Sequence, residues 1–387
     1  MQKKILFAIQ GEGRGHMTQA IALANMLKAQ GYQICCVMVG SSNARKLPEF
    51  FYKNFNDSNQ GSQTEIIQFA SPNFITDGKM KGIRIWPSIY KNVFLLKRFL
   101  RSIKLVHSTI KKHQPDLIIN FYEPIIGLSQ IFQKTLCPII CVGHQYIYHH
   151  SEFQFPGGFT LDRISLKYFT ALTAIGSYKQ LAISFYPMTN NDERTIKVIP
   201  PLLRKEVFSQ SVSTNEYLLI YLLNKGYIEE IISWHEKHPE IELHCFTDHA
   251  IIGEIMEFDK TLCFHKLNDK KFLHLMAGSK GFITTAGFES VCEAMYLGKP
   301  VFMVPVAGHF EQFCNSRDAF KTGAGIYGDE FDLSRMLNYL ADHKTDYVSY
   351  KLWVDSTEDM VIHEIRKILG ITEIAGSPSL QNAEFAN

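Results

Sequence analysis

The chain has 387 residues, 46% of them hydrophobic and 12% aromatic, with a formal net charge of +2. This composition describes a well-packed globular protein with room for two domains and excludes a disordered or fibrous chain. The near-neutral total conceals an asymmetry: residues 1–200 carry 23 Lys and Arg against 11 Asp and Glu, and the remainder 17 against 27. Halves of opposite charge are expected to face different partners.

Residues 4–9 read as a short buried strand, and 17–30 as a helix with Ala20, Leu23, Ala24 and Leu27 on one face. A second strand follows at 32–39. After the N-terminal lysines only five apolar residues run to Gln10, too few for a secretory leader, and no apolar run approaches the ~20 residues of a membrane span. The eight cysteines lack disulfide or zinc spacing and read as free thiols, so a cytoplasmic location is expected. Residues 54–64 form a polar loop, and 93–112 a long basic helix. Strands follow at 114–120 and 137–142, with short ones at 173–175 and 195–199. Pro200-Pro201 is a rigid extended break. A second alternation of strands and helices starts at 217–223, and Gly370 ends its last helix. The fold class is α/β, with two doubly wound Rossmann-like domains facing a cleft. Residues 1–200 make the first domain and 201–370 the second, whose last helix is free to pack back on the first. Residues 371–387 read as a disordered tail.

The chemistry-bearing stretch is GFITTAGFESVCEAMYLGKPVFMVPVAGHFEQFCN, residues 281–315. A strand stops at Thr285-Ala286-Gly287, and a helix begins at Phe288. Such a turn aims backbone N–H groups and the positive end of a helix dipole at whatever lies above, commonly a phosphate. Glu293, on the same helix, is placed to reach a ribose. Glu311 and Gln312 open the next helix, within reach of sugar hydroxyls. Ser290 caps or packs. Earlier in the chain, Gly11-Glu-Gly13-Arg14-Gly15-His16 joins a strand to a helix. It is neither a dinucleotide fingerprint, because His16 stands where the third glycine is needed, nor a P-loop.

These residues resemble the donor-site pattern of family-1 and family-28 glycosyltransferases. The match runs through Ala286-Gly287, Ser290, Glu293-Ala294, Gly298, Pro300, Pro305 and Glu311-Gln-Phe-Cys-Asn315. Many members have a second glycine or a serine at the place of Ala286, and Asp or Gln at the place of Glu311. An alanine is tolerable there if the position supplies only its N–H. The first loop resembles that of MurG-like enzymes and of a bacterial and archaeal group with a G-x-G-x-G-H start. The resemblance implies the GT-B fold, in which the N-terminal domain binds the acceptor and the C-terminal domain a nucleotide sugar. It implies a hexosyl transfer in which Gly13, Gly15, Asn224, Thr285, Ala286, Gly287, Phe288, Ser290, Glu293, Glu311 and Gln312 hold the donor.

His16 is suited to take a proton from an acceptor hydroxyl, and Glu123, just past a strand end, is the rival base. No Asp-x-Asp occurs in the chain, so an inverting displacement without metal or cofactor is expected. The helix N-terminus would stabilise the leaving diphosphate, and the nucleotide sugar, a UDP-sugar, is a co-substrate. Lys97, Arg98 and Arg101 lie in a stretch without acids between Asp77 and Asp116, interleaved with large apolar residues. That pattern suits an anionic membrane surface, placing the protein at the inner face of the plasma membrane with a lipid-linked or cell-envelope glycan acceptor. A core-packed helix with a solvated basic face is the other reading. No nucleic-acid module is present. Two rival functions remain open: a nucleotide-sugar 2-epimerase on the same fold, and a non-catalytic nucleotide- or glycan-binding protein.

Overall fold

The structure is a computed structural model that describes residues 2–41, 47–55, 64–72, 75–76, 83–84, 96–189, 195–222, 225–247 and 255–371. Lys4–Gln10 (β1) feeds Arg14–Ala29 (α1), and Gln33–Ser41 (β2), Glu49–Phe55 (α2) and Glu65–Ala70 (β3) follow. Ile75–Thr76 (β4) and Ile83–Arg84 (β5) pair as an antiparallel hairpin. Leu96–His113 (α3), Leu117–Phe121 (β6), Pro124–Phe132 (α4) and Ile139–Gly143 (β7) come next. Thr160–Thr173 (α5), Lys179–Ile183 (β8) and Ile196–Ile199 (β9) complete this half. Its sheet is seven-stranded, ordered β3-β2-β1-β6-β7-β8-β9, and parallel throughout.

The second half opens with Lys205–Phe208 (α6), Leu218–Leu222 (β10), Ile228–His235 (α7) and Leu243–Thr247 (β11). Ile255–Glu257 (β12), Leu262–Lys266 (β13), Asp269–Gly278 (α8), Gly281–Thr284 (β14) and Phe288–Tyr296 (α9) continue it. Val301–Met303 (β15), Phe310–Lys321 (α10), Gly325–Tyr327 (β16), Leu333–Leu340 (α11), Tyr347–Asp355 (α12) and Thr357–Ile368 (α13) end it. This sheet is ordered β12-β13-β11-β10-β14-β15-β16, with only β12 antiparallel.

Strand order reverses at β1/β6 in one sheet and at β10/β14 in the other. Open parallel sheets bind ligands at such points, beyond the strand C-termini. The central strands are covered on both faces, so they read as unbroken apolar runs; β6 and β14 are buried at every position. One hydrophobic cluster runs through both halves, including Ile9, Phe185 and Leu202 on one side and Phe288, Val354 and Ile362 on the other. The C-terminal helices tie the halves together. Trp353 Nε1 donates to Ser184 O at 3.2 Å, Thr357 Oγ1 to Pro201 O at 3.2 Å, and Gln30 Nε2 to Glu358 Oε1 at 3.0 Å.

The first helix starts earlier than its apolar periodicity suggests. Gly13 is its extended N-cap, so Arg14, Gly15 and His16 form its first turn rather than a loop. Glycine and a polar pair carry no hydrophobic period, which hides the helix start. Of the tail expected at 371–387, residues 372–387 lie outside the described residues.

Candidate active site

The N-terminal wall of the cleft is built at the end of β1 and β6. Gly11 N donates to Gly40 O at 2.7 Å and pins the glycine loop to β2. Gly13 caps α1 without a side-chain hydrogen bond, so the first N–H groups of α1 have no side-chain cap. The His16 ring stacks on Tyr122 at 5.6 Å. Burial pushes its pKa down to about 4, so the imidazole is neutral at physiological pH. Its Nδ1 is buried without a partner.

Tyr122 has φ 59°, the left-handed region, which costs a non-glycine residue about 1–2 kcal/mol. Such strain persists only where the surroundings over-determine it. Here Asn120 does so: its Oδ1 accepts from Glu123 N at 2.9 Å, and its Nδ2 donates to Glu123 O at 3.1 Å and Thr173 O at 2.9 Å. Glu123 is the N-cap of α4. Its Oε1 accepts from Ile125 N at 2.9 Å and from Ser71 Oγ at 2.7 Å. The carboxyl is fully buried against Gly40, where a Cβ would come within 2.0 Å of Oε2. Burial raises its pKa to about 8.

The C-terminal wall is the turn from β14 into α9. Thr285 is fully buried and its Oγ1 has no partner. Gly287 caps α9, again without a side-chain hydrogen bond. Ser290 Oγ donates back to Gly287 O at 3.2 Å, a packing role. Ala286 has φ 59°, and its carbonyl accepts from Asn315 Nδ2 at 3.2 Å. The position therefore supplies a carbonyl contact as well, and the turn holds it in the left-handed region, which glycine adopts freely and alanine only under strain.

Phe288 reaches from the start of α9 to the other domain, stacking on His144 at 3.9 Å. Glu293 is gripped by Arg204 through two bonds, Nε–Oε1 at 2.6 Å and Nη2–Oε2 at 2.9 Å. Arg204 Nη1 also lies 3.7 Å from Asp269 Oδ1. Gln312 uses its Oε1 to hold Val306 N at 2.8 Å, shaping the loop before α10. Glu311 crosses the cleft and accepts from Gln145 Nε2 at 2.9 Å. Burial raises its pKa to about 7.

Gln145 Nε2 also lies 3.5 Å from His16 Nε2, so one amide spans His16 and Glu311. Gln19 Nε2 of α1 likewise donates to Glu289 Oε1 of α9. Buried oxygens and nitrogens without partners gather here: His16 Nδ1, Gln145 Oε1, Thr285 Oγ1, Glu289 Oε2 and Glu123 Oε2. Buried polar atoms are normally satisfied, so a concentration of exceptions marks a place for a polar ligand.

The structure thus brings together Gly13, Gly15, His16 and Glu123 on one side, and Thr285 to Phe288, Ser290, Glu293, Glu311 and Gln312 on the other. Asn224 lies outside the described residues. Lys97, Arg98 and Arg101 are exposed on α3, whose Phe99, Ile103 and Val106 pack inward. Sequence reasoning missed Tyr122, Gln19, Gln145 and Glu289. The last stands two residues past the capping Gly287, which is the signal that was available. Among the described residues, Cys36, Glu65 and His113 are grouped closely enough to hold a metal ion. They lie at the start of β3, remote from the glycine loop, and Lys112 already pairs with Glu65 at 2.6 Å.

Two largely parallel sheets, each with a switch point opening on one cleft and a glycine-capped helix at each, define the GT-B class of glycosyltransferase. Residues 3–343 match the family model described as glycosyl transferase family 1, and the chain belongs to that family. It is similar to UDP-N-acetylglucosamine--N-acetylmuramyl-(pentapeptide) pyrophosphoryl-undecaprenol N-acetylglucosamine transferase of Clostridium tetani (strain Massachusetts / E88). The two are 20% identical over 93% of this chain and 98% of that protein. Among solved structures, Arabidopsis thaliana UGT89C1 complexed with UDP-L-rhamnose aligns at TM-score 0.60 and 13% identity, covering 96% of this chain and 98% of that one. Acinetobacter baumannii MurG aligns at TM-score 0.54 and 14% identity, covering 95% and 100%. The protein is a glycosyltransferase.

Proposed function

We propose that the chain moves a hexose from a UDP-sugar to a hydroxyl acceptor with inversion, without a metal ion, at an anionic membrane surface. The observation that carries the donor assignment is the N-terminus of α9: an N-cap glycine without a side-chain bond, beside a fully buried Thr285 hydroxyl that has no partner. An anionic diphosphate satisfies those N–H groups and the hydroxyl, and the helix dipole stabilises its developing charge on departure. The absence of Asp-x-Asp in the sequence leaves that task to the turn. The names of the similar proteins, one a UDP-N-acetylglucosamine-dependent transferase and one seen with UDP-L-rhamnose, support a UDP-sugar.

His16 is the better-placed base. The residue as a whole is intermediate in exposure, and its ring carries a partnerless Nδ1. Glu123 is sealed behind Gly40 and Ser71, and its Oε1 is occupied. Glu123 then holds the turn that sets Tyr122 beneath the imidazole. Glu311 and the Gln145 amide await sugar hydroxyls. For the membrane, α3 and α5 flank α4 on the outer face of the N-terminal sheet. Leu96, Leu100, Leu161, Ile164 and Tyr168 are exposed there among Lys97, Arg98, Arg101, Lys104, Arg163 and Lys167, and Asp162 is the sole acid of the two helices. A basic face studded with large apolar groups matches an anionic interface.

A panel of UDP-, GDP- and dTDP-sugars tests the reading by thermal shift and by product analysis with EDTA present. UDP-sugars are expected to raise Tm, and His16→Ala to lower turnover about 10²–10⁴-fold while UDP binding stays intact. Free epimerised sugar, a strict metal requirement, or preference for another nucleotide would overturn it.

A further inference from the structure

Away from the cleft, three ligand-bearing side chains converge at the outer edge of the N-terminal sheet. β2 and β3 are adjacent parallel strands, and their register sets Cys36 directly beside Glu65. Side chains at paired positions leave the same face of the sheet, from backbones ~4.8 Å apart. α3 covers that face, and Cys36 shares a hydrophobic cluster with Phe99, Ile103 and Val106 of the helix. The helix ends at His113, whose Nε2 lies 2.7 Å from Glu65 Oε2. A thiol sulfur, an imidazole nitrogen and a carboxylate oxygen thus lie within 4.8 Å of one another, each brought by a different element.

The three are buried to different depths. Cys36 is a fully buried free thiol, whereas His113 and Glu65 are partly exposed. The group is closed toward the core and open to water on one side. Lys112 stands on that open side, with its Nζ 2.6 Å from Glu65 Oε2 and its side chain 62% exposed. An exposed pair of this kind is weak, and its long side chain is free to swing away.

We propose that Cys36, Glu65 and His113 form a zinc site that staples the C-terminal end of α3 to β2 and β3. Thiolate and imidazole ligands select zinc-class ions, whereas hard cations ask for oxygen throughout. Zinc takes sulfur at ~2.3 Å and nitrogen or oxygen at ~2.0–2.2 Å. Three atoms already this close need only small side-chain rotations to share one ion, and water completes the tetrahedron from the open side. On binding, the Cys36 thiol gives its proton to solvent as the sulfur–zinc bond forms, and Lys112 releases Glu65. The His113 ring keeps its N–H on the nitrogen turned away from the ion, and nothing is oxidised or reduced. The site stands toward the strand starts, at the opposite end of the sheet from the cleft, so its role is to hold the cationic helix and not to take part in transfer.

The full-length protein, stripped of metal and then titrated with Zn²⁺ against a chromophoric chelator, is expected to bind a single equivalent. Co²⁺ in its place is expected to show a thiolate-to-metal charge-transfer band in the near ultraviolet. Cys36→Ser abolishes that band and weakens zinc binding by more than the ~100-fold that loss of a partner behind a ligand costs. His113→Gln, a change at a partly exposed helix end that leaves the circular dichroism spectrum intact, weakens it to a similar degree. Lys112→Met removes the competing cation and tightens binding by up to ~5-fold. Zinc raises the Tm of the wild type and of Lys112→Met, and leaves that of Cys36→Ser and His113→Gln unchanged. No zinc bound by the wild type, a Co²⁺ complex without the thiolate band, or zinc affinity unaltered in His113→Gln overturns the proposal and leaves Glu65 an ion-pair partner of Lys112 and His113.

Discussion

Glu293 shows how one residue can carry two claims on it. Its offset from Gly287 marks it for a ribose, yet in the folded chain both its oxygens are held by Arg204, whose side chain is 16% exposed against 4% for the glutamate. Removing one member of a buried pair strands the other charge at about 3–5 kcal/mol, whereas replacing both with apolar groups is far milder. Glu293→Ala is therefore expected to lower stability by that amount in denaturant unfolding, with Glu293→Ala/Arg204→Met recovering most of it. A loss of UDP affinity in Glu293→Ala has to be read beside that effect, and the double variant separates the two. Tyr122 and Ala286 illustrate a different point. Both stand at φ 59°, one under His16 and one just before α9. Neither residue type announces this in the sequence, because only the turn that each must complete requires it.

At the scale of elements, α3 decides between two readings of its charge. Its inward stripe of Phe99, Ser102, Ile103, Val106 and Thr109 is core, and its outward face is basic and interrupted by exposed leucines. Packing and membrane contact are thus not alternatives, since they use opposite faces. With α5, where Leu161 and Tyr168 are 77% and 75% exposed, α3 makes a surface of matched chemistry. Charge reversal at Lys97, Arg98 and Arg101 is expected to weaken sedimentation with phosphatidylserine vesicles by about 1 kcal/mol per cation removed. Thermal stability should change little, because all three side chains are solvated. Unchanged vesicle binding would leave the face a solvated one. Of the basic segment between Asp77 and Asp116, residues 77–82 and 85–95 lie outside the described residues.

For the whole molecule, buried histidines and carboxyls set the pH dependence of stability. His16, His144, His265 and His309 are pushed down to about 4 by burial. The unfolded chain binds protons at these sites below ~6.5 while the folded one does not, so stability is lost as pH falls from there toward 4. Glu123 and Glu289 are raised to about 8 and Glu311 to about 7. The folded chain keeps these protons after the unfolded one has released them, so this contribution is full below ~4.5 and is lost as pH rises through 7 to 8. A calorimetric series is expected to place the maximum of Tm near pH 6.5, with the alkaline limb shallower in Glu289→Gln.

The sequence by itself determined the alternation of strands and helices, the two-sheet architecture and the turn at residues 281–315. Those features rest on local periodicity and on glycines whose backbone geometry is a property of the residue. Only the tertiary structure decided which side chains meet across the cleft. Gln19 reaches Glu289 over 270 positions, Gln145 reaches Glu311 over 166, and Arg204 reaches Glu293 over 89. It also decided that Gly40 leaves room for Glu123. A polar residue at such distances carries no periodicity, and its ionisation is set by burial that appears only once two domains close on each other.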